Sequence, residues 1–138
     1  MKRTVLVIED NEQNLYLVTF MLEHNGYEVV QARDGREGIE LATRMTPVLI
    51  LLDIQLPGMD GYAVARALRS NPALARVPIV AVTSYAMVGD RERALEAGCS
   101  GYIEKPINPE TFVTELERHL SGETCPKEAP NDQATCCG

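Results

Sequence analysis

The chain lacks several features on which whole classes of protein depend. It contains no tryptophan and only two histidines, and none of its four cysteines precedes Cys99. Because no two cysteines have the C-x-x-C spacing, a structural zinc site is not expected, and the cysteine-free first part of the chain argues against a disulfide scaffold. Reduced thiols are therefore the expected state. No apolar run approaches the roughly 20 residues that cross a bilayer.

Positive charge is also scarce. The 138 residues include 20 acidic and 13 basic ones, which gives a net charge of −7 at pH 7. Nucleic acids and anionic membranes are bound by clusters of lysine and arginine, so this composition disfavours both as direct partners. The N-terminal sequence MKRTVLVIED reaches acidic residues where a signal peptide would continue with apolar ones. We therefore expect a soluble, cytoplasmic protein with one globular domain.

Three familiar signatures of nucleotide-binding and hydrolytic sites are missing as well. The chain has no G-x-x-x-x-G-K-[ST] loop, no G-x-G-x-x-G fingerprint and no G-x-S-x-G elbow. These absences exclude P-loop, dinucleotide-binding and α/β-hydrolase sites of the usual kinds. His24 and His119 each lie at the end of a predicted helix, where a positive charge interacts favourably with the helix dipole. We interpret both histidines as structural.

What the chain does contain is a regular alternation of short apolar runs and helical patterns. The predicted strands cover residues 4–9, 27–32, 48–53, 77–83 and 100–104, and the predicted helices cover 11–25, 34–45, 62–70, 91–97 and 108–120. Five such units predict an α/β fold, an open doubly wound parallel sheet of five strands with helices on both faces. A closed eight-stranded barrel would need roughly twice the length.

This pattern stops after residue 120 and divides the chain into two parts. The segment 121–138, SGETCPKEAPNDQATCCG, has two prolines and almost no large apolar side chain. Such a segment cannot repay the entropy of ordering its backbone through burial. We therefore expect a folded domain at residues 1–120 and a disordered tail at residues 121–138.

Polar side chains stand where four of the five predicted strands end. The first strand ends in Glu9 and Asp10, the third in Asp53 and the fourth in Thr83, and Lys105 follows the fifth. The carboxyl ends of parallel strands meet at one edge of an open sheet, which is where ligands of such folds bind. Any one of these residues alone would be interpreted as a solvated loop residue. Together they indicate a functional site.

The residue types at this edge favour one kind of chemistry. Three carboxylates repel one another and require a cation, and oxygen ligands of this kind suit Mg²⁺. Lys105 offers a compact positive charge for phosphate oxygens, and Thr83 offers a neutral hydroxyl donor. This combination is typical of phosphoryl transfer, with Asp53 as the nucleophile that becomes an aspartyl phosphate.

Four segments of the sequence resemble one known family. They are the apolar run that ends in Glu9 and Asp10, LLDIQLPGMDGY at 51–62, VTSYA at 82–86 and YIEKP at 102–106. They resemble the receiver domain of response regulators in two-component signalling, the CheY-like superfamily, over about residues 3–120. Stand-alone receivers of the DivK type are the most similar. The resemblance implies the strand order 2-1-3-4-5.

The resemblance also implies a role for each residue of the site. Asp53 matches the phosphoacceptor, which takes its phosphoryl group from a histidine kinase or a histidine phosphotransfer protein. Glu9 and Asp10 match the metal-binding acids, and the backbone carbonyl of Gln55 completes the Mg²⁺ ligands together with Asp53. Lys105 matches the lysine that contacts the phosphoryl group. Such a domain is not an enzyme in the ordinary sense, because it catalyses only its own phosphorylation and dephosphorylation.

Further matches concern the response to phosphorylation. Thr83 matches the switch hydroxyl, and Tyr102 matches the aromatic residue that changes position with it. Gln55 and Tyr85 occupy positions that tune the lifetime of the phosphoryl group. The resemblance implies that a downstream protein reads the face formed by the fourth helix, the fifth strand and the fifth helix. It also implies a monomer or a phosphorylation-dependent dimer.

Two other functions fit parts of the same pattern. A Mg²⁺-dependent phosphatase could use an aspartyl phosphate, but Gln55 stands where the haloacid-dehalogenase family carries a second acid, two residues after its nucleophile. A phosphate-independent pseudo-receiver could serve only as a docking module. Retention of all five polar residues at the strand ends counts against that alternative.

Overall fold

The computed structural model describes residues 3–56, 58, 60–83, 89–105 and 107–120. Its strands are β1 Thr4–Ile8, β2 Glu28–Ala32, β3 Leu49–Asp53, β4 Ile79–Thr83 and β5 Gly101–Glu104. Its helices are α1 Glu12–His24, α2 Gly35–Met45, α3 Gly61–Arg69, α4 Asp90–Glu96 and α5 Pro109–Leu120, with a short 3-10 helix at Pro72–Leu74. The predicted tail at 121–138 lies outside the described residues.

All five strands are parallel and form one sheet in the order β2-β1-β3-β4-β5. This result confirms the predicted α/β class and the strand order implied by the family resemblance. Every residue of β3 and β4 is buried, as expected for strands covered by helices on both faces. The polar residues at the ends of β1, β3 and β4 therefore come to one edge, which we call the carboxyl edge.

Alternate side chains of the strands fill two separate cores. Leu6 and Leu52 belong to a cluster on the face covered by α2, α3 and α4. Val5 and Leu51 belong to a second cluster on the opposite face, under α1 and α5. Because successive strand residues point to opposite faces, continuous apolar runs are needed to supply both cores.

Short polar side chains fix the points at which helices begin beside the carboxyl edge. Asn11 Oδ1 accepts from Asn14 N (3.0 Å) at the start of α1, and Asp34 Oδ1 accepts from Glu37 N (2.8 Å) at the start of α2. Asn108 Oδ1 accepts from Glu110 N (2.9 Å) at the start of α5. Each contact satisfies a backbone N–H of the first helical turn that has no partner within the helix. Within the part of the chain that the structure describes, no helix is long and apolar enough to cross a membrane.

The structure gives His119 a different role from the predicted one. Its imidazole lies over β5, so that a Cβ at Gly101 would come within 2.5 Å of Nε2. Among the described residues, nothing forms a hydrogen bond with its buried Nδ1. Burial, together with the nearby charge of Arg118, lowers the pKa of His119. The neutral ring is therefore favoured, and His119 acts in packing rather than as a positive charge at the helix end.

Candidate functional site

Two buried carboxylates form the floor of the site. Glu9 directly follows β1, and Asp53 is the last residue of the neighbouring strand β3. They are 5% and 4% exposed. Ligand oxygens of Glu9, Asp53 and the exposed Asp10 all lie within 4.8 Å of one another. The structure thus brings together the three acids that the sequence placed at the strand ends.

Backbone hydrogen bonds hold the two buried carboxylates in place. Asn11 N donates to Glu9 Oε2 (3.2 Å), and Gln55 N donates to Asp53 Oδ1 (3.0 Å). The adjacent Ile54 N continues the sheet by donating to Val82 O (3.0 Å). Each carboxylate is therefore oriented by the turn that leaves its own strand, and rearrangement of the site requires movement of that turn.

Lys105 lies between the two buried acids. Its Nζ is 3.2 Å from Glu9 Oε1 and 3.5 Å from Asp53 Oδ2, and the side chain is 11% exposed. The backbone of the same residue is fixed to β4, because Lys105 N donates to Thr83 O (2.7 Å). One ammonium group therefore faces two buried carboxylates and is held there by both its main chain and its side chain.

This arrangement is short of positive charge. The pKa of Glu9 is raised from 4.5 to about 7, first because burial removes water from the carboxyl group and second because Asp53 lies close to it and shares a hydrogen bond. Lys105 and the Asn11 N–H lower the pKa of Glu9, but by less than burial and Asp53 raise it. Burial and the second carboxylate thus favour the protonated form of Glu9, and a nearby cation would favour its ionised form.

The donor set fits a hard divalent cation. Three carboxylates, of which two are buried and one is exposed, bring their oxygen atoms close together. Mg²⁺ typically binds one or two carboxylates and keeps several waters or phosphate oxygens. A dipositive ion bound here would stabilise the ionised form of Glu9 and so lower its pKa.

Comparison with known proteins agrees with this geometry. Residues 5–117 match the sequence profile described as the response regulator receiver domain. The chain belongs to the response regulator receiver family. It is 41% identical over 120 residues to the polar-differentiation response regulator DivK of Brucella anthropi, a match covering 87% of this chain and 98% of that protein. DivK of Brucella ovis matches to the same extent. Receivers are signalling modules and not classical enzymes.

Solved receiver structures share the fold. The receiver domain of the sensor histidine kinase PA1611 from Pseudomonas aeruginosa PAO1, which holds a magnesium ion in its active-site cleft, is 36% identical with a TM-score of 0.81. The two chains are covered to 87% and 98%. A response regulator from Chloroflexus aurantiacus J-10-fl reaches a TM-score of 0.83 at 27% identity, covering 88% of this chain and 99% of that one.

The remaining candidate residues of this receiver lie on β4, on β5 and after β3. Thr83 ends β4, is 2% exposed and pairs in register with Glu104 of β5. Tyr102 is half-buried on β5 and packs against the core under α2, α3 and α4. Gln55 is also half-buried, and its N–H is bound to Asp53. Tyr85 lies outside the described residues.

Two features of this region were missed by the sequence analysis. Arg33 directly follows β2, the strand for which no candidate was found, and its guanidinium pairs with Glu12 (3.1 Å) on the surface. The signal in the sequence was a basic residue directly after the predicted second strand, at the same edge of the sheet as the other candidates. The second feature is an open cavity of about 320 Å³ beside β5, which no sequence pattern could reveal because three separate elements form it. Its described lining is Arg91, Tyr102, Ile103, Glu104, Asn108, Thr111, Phe112 and Glu115.

Proposed function

We propose that this receiver accepts a phosphoryl group on Asp53 from a histidine kinase or a histidine phosphotransfer protein. The observation that carries the proposal is the position of Lys105, whose ammonium group lies within 3.5 Å of both Glu9 and Asp53. In the proposed step an Asp53 oxygen attacks phosphorus and forms the new P–O bond. The P–N bond to the donor histidine breaks, and the released imidazole takes up a proton.

The side chains at the carboxyl edge divide this work among them. Glu9, Asp10 and Asp53, with the backbone carbonyl of Gln55, would hold Mg²⁺, which supplies positive charge to the phosphoryl oxygens when bound. Lys105 provides a second positive charge for the same oxygens. The Gln55 N–H binds Asp53 Oδ1, so the attacking oxygen would be Oδ2, which faces Lys105 Nζ at 3.5 Å.

The phosphorylated state would be communicated through β4 and β5. A phosphoryl group adds about two negative charges and three acceptor oxygens, to which the Thr83 hydroxyl can donate. We propose that Tyr102 changes position together with Thr83, and that Gln55 and Tyr85 tune the lifetime of the phosphoryl group. Thr83 and Tyr102 lie on neighbouring strands, since Ala81, two residues before Thr83, pairs with Tyr102.

A downstream protein would read the face formed by α4, β5 and α5. The cavity on this face includes Tyr102 in its lining, so movement of that ring changes the shape of the surface offered to a partner. We propose that the protein works in the cytoplasm as a monomer or a phosphorylation-dependent dimer, with protein partners rather than nucleic acid or membrane. The acidic net charge of −7 supports the absence of direct nucleic-acid binding.

Incubation with acetyl phosphate and Mg²⁺, followed by intact-mass measurement, tests the proposal. We expect a gain of one phosphoryl group, about 80 Da, which hydroxylamine removes, as it does acyl phosphates. Asp53→Asn should abolish the gain, because an amide is a poor nucleophile. Asp34→Asn is the matched control, since asparagine caps a helix as well as aspartate does, and it should gain the group normally. Phosphorylation that persists in Asp53→Asn would refute the assignment.

A further inference from the structure

The C-terminal end of α4 is held firmly by one arginine of α3. Arg69 Nε donates to Gly98 O (2.8 Å), and Nη2 donates to Ser100 Oγ (3.2 Å). Its Nη1 donates to Leu74 O (2.8 Å) and Val77 O (2.7 Å) on the segment that leads into β4. The turn after α4 is thereby fixed to two neighbouring segments.

The turn itself is closed around the arginine. Gly98 has a φ of +107°, and a Cβ at this residue would lie 2.4 Å from Arg69 Cγ. Cys99 N donates to Ala94 O (3.0 Å), which completes a tight helix end. This end of α4 cannot move without breaking several partly buried hydrogen bonds.

The beginning of α4 has much weaker support. It starts after Gly89, which has a φ of +90° and supplies no side-chain cap. Among the α4 residues whose side chains are described, only Ala94 is buried, and Leu95 is 49% exposed. A short, uncapped helix with one small buried side chain gains little from apolar burial. The first turn of α4 can therefore move with little loss of free energy.

In the middle of α4, Arg93 contacts α3 through the ring of Tyr62. The guanidinium carbon of Arg93 lies 4.7 Å from the centroid of the Tyr62 ring. A cation over an aromatic ring at this distance changes an equilibrium about two- to fivefold at an exposed site and more where water is excluded. Tyr62 is itself buried, so the ring presents a fixed surface to Arg93.

Tyr62 is tied in turn to the segment that follows Asp53. Gly61 N donates to Ile54 O (3.2 Å), and a Cβ at Gly61 would lie 2.4 Å from Ile54 Cα. Tyr62 N donates to Asp60 Oδ1 (3.1 Å). The ring is thus positioned by the same loop that starts at the candidate phosphoacceptor.

We propose that α4 is a lever whose pivot is Arg69 and whose latch is the Arg93–Tyr62 contact. The latch holds α4 against α3 in the unphosphorylated protein and so sets the resting population of the switch. This inference rests on the proposed function, because the force that opens the latch is movement of Thr83 toward a phosphoryl group on Asp53. In the sequence, Gly89 at the weakly supported end of α4 follows six residues after Thr83.

The test uses NMR of the full chain, with beryllium fluoride plus Mg²⁺ as the phosphoryl mimic. In the unmodified protein the mimic should move the Leu95 amide signal and remove the ring-current shift that Tyr62 imposes on the Arg93 side chain. Without the mimic, Arg93→Met and Tyr62→Leu should each move the Leu95 signal part of the way toward its mimic-bound position. This corresponds to a rise in the open population of about two- to fivefold.

Two variants separate the latch from general effects on stability. Arg91→Met removes the same charge from the same helix, so it should not move the Leu95 signal in the absence of the mimic. The double variant Arg93→Met with Tyr62→Leu should move it no further than either single change. Equal shifts in Arg91→Met and Arg93→Met, or additive shifts in the double variant, would overturn the latch.

The same spectra distinguish the latch from the function on which it rests. If the mimic moves the amide signals of Asp53 and Lys105 while the Arg93 ring-current shift persists, the latch is refuted and the proposed function stands. If the mimic leaves Asp53 and Lys105 unchanged, the phosphoacceptor assignment is refuted and the latch falls with it.

Discussion

At the scale of single residues, the charge of Glu9 connects the site to the stability of the whole domain. Its pKa is raised from 4.5 to about 7 by burial and by Asp53. Between these two pH values the folded protein binds more protons at this position than the unfolded chain does. In the absence of a divalent ion, stability therefore falls as pH rises through this window, by at most about 3 kcal/mol.

Replacement of Glu9 by glutamine should remove this pH dependence. In EDTA, we expect the unfolding free energy of the unmodified protein to fall from about pH 5 to about pH 7.5 relative to that of Glu9→Gln. The lowered pKa of His119 has the opposite effect, a loss of stability as pH falls below about 6.5, but it is common to both proteins and cancels in the difference. Urea midpoints measured across this range provide the test. Parallel curves for the two proteins would contradict the buried-acid assignment.

Magnesium should offset the electrostatic repulsion between the Glu9 and Asp53 carboxylates. At a hundred times its dissociation constant, Mg²⁺ should add about 2.7 kcal/mol to the unfolding free energy, whereas Na⁺ at equal ionic strength should not. Glu9→Gln should lose most of this gain, and the exposed Glu23→Gln should keep it. Thermal melts with and without Mg²⁺ measure the effect. If Mg²⁺ does not change the melting temperature of the unmodified protein, the metal site is excluded.

At the scale of elements, the strands were predictable because both of their faces are buried. The apolar runs at 48–53 and 77–83 contain β3 Leu49–Asp53 and β4 Ile79–Thr83, since covered strands leave little room for polar residues. Convergence of Glu9, Asp53 and Lys105 could likewise be predicted, because parallel topology alone brings strand ends together.

Other features depend on contacts that no local pattern records. The helix α3 begins at Gly61, one residue before the predicted start, because Asp60 supplies its cap. The 3-10 helix Pro72–Leu74 was not predicted, and it depends on Asn71 accepting from Ala73 N (3.0 Å). The Arg69 and Arg93 contacts join residues distant in sequence. Local propensity carries no information about such pairs.

The close approach of α3 to the loop after Asp53 requires a residue without a side chain at position 61. A Cβ there would lie 2.4 Å from the backbone of Ile54, whereas a Cβ at Gly38 meets only the side chain of Ile8. Helix propensity alone would favour alanine by about 1 kcal/mol at either position. We expect Gly61→Ala to destabilise the protein by about 1–3 kcal/mol or more, and Gly38→Ala to cost less, because an isoleucine side chain can rotate away. Denaturant titration compares the unfolding free energies of the two variants. Equal values would contradict the packing described for α3.

At the scale of the whole molecule, the proposed chemistry and the proposed readout use different parts of one sheet. Glu9, Asp53 and Lys105 lie at the carboxyl edge, whereas the cavity of about 320 Å³ lies beside β5 and α5. Thr83 and Tyr102 lie on the two strands nearest to that cavity. Away from that cavity, helix α1 has its side chains Leu15, Val18 and Leu22 buried in the core.

This separation predicts an uneven response to the phosphoryl mimic. Beryllium fluoride with Mg²⁺ should shift amide signals strongly along β5 and α5, and only weakly along α1 beyond residues 9–14. A weak response is expected in α1 because the side chains that it packs into the core are apolar and would not respond to movement of Thr83. A second comparison is Tyr102→Ala, which should still bind the mimic but lose most of the α5 response. Shifts of equal size in α1 and in β5 and α5 would show that the signal leaves the molecule by another route.

The central claim, that Asp53 is the phosphoacceptor, is tested most directly by locating the modified residue. Borohydride reduces an aspartyl phosphate to homoserine, so treatment after phosphorylation by acetyl phosphate and Mg²⁺ leaves a permanent mark on the acceptor. Peptide mass spectrometry should then find homoserine at position 53, with Asp10, Asp34 and Asp60 unchanged. Homoserine at another aspartate, or none after a confirmed mass gain, would contradict the assignment of Asp53.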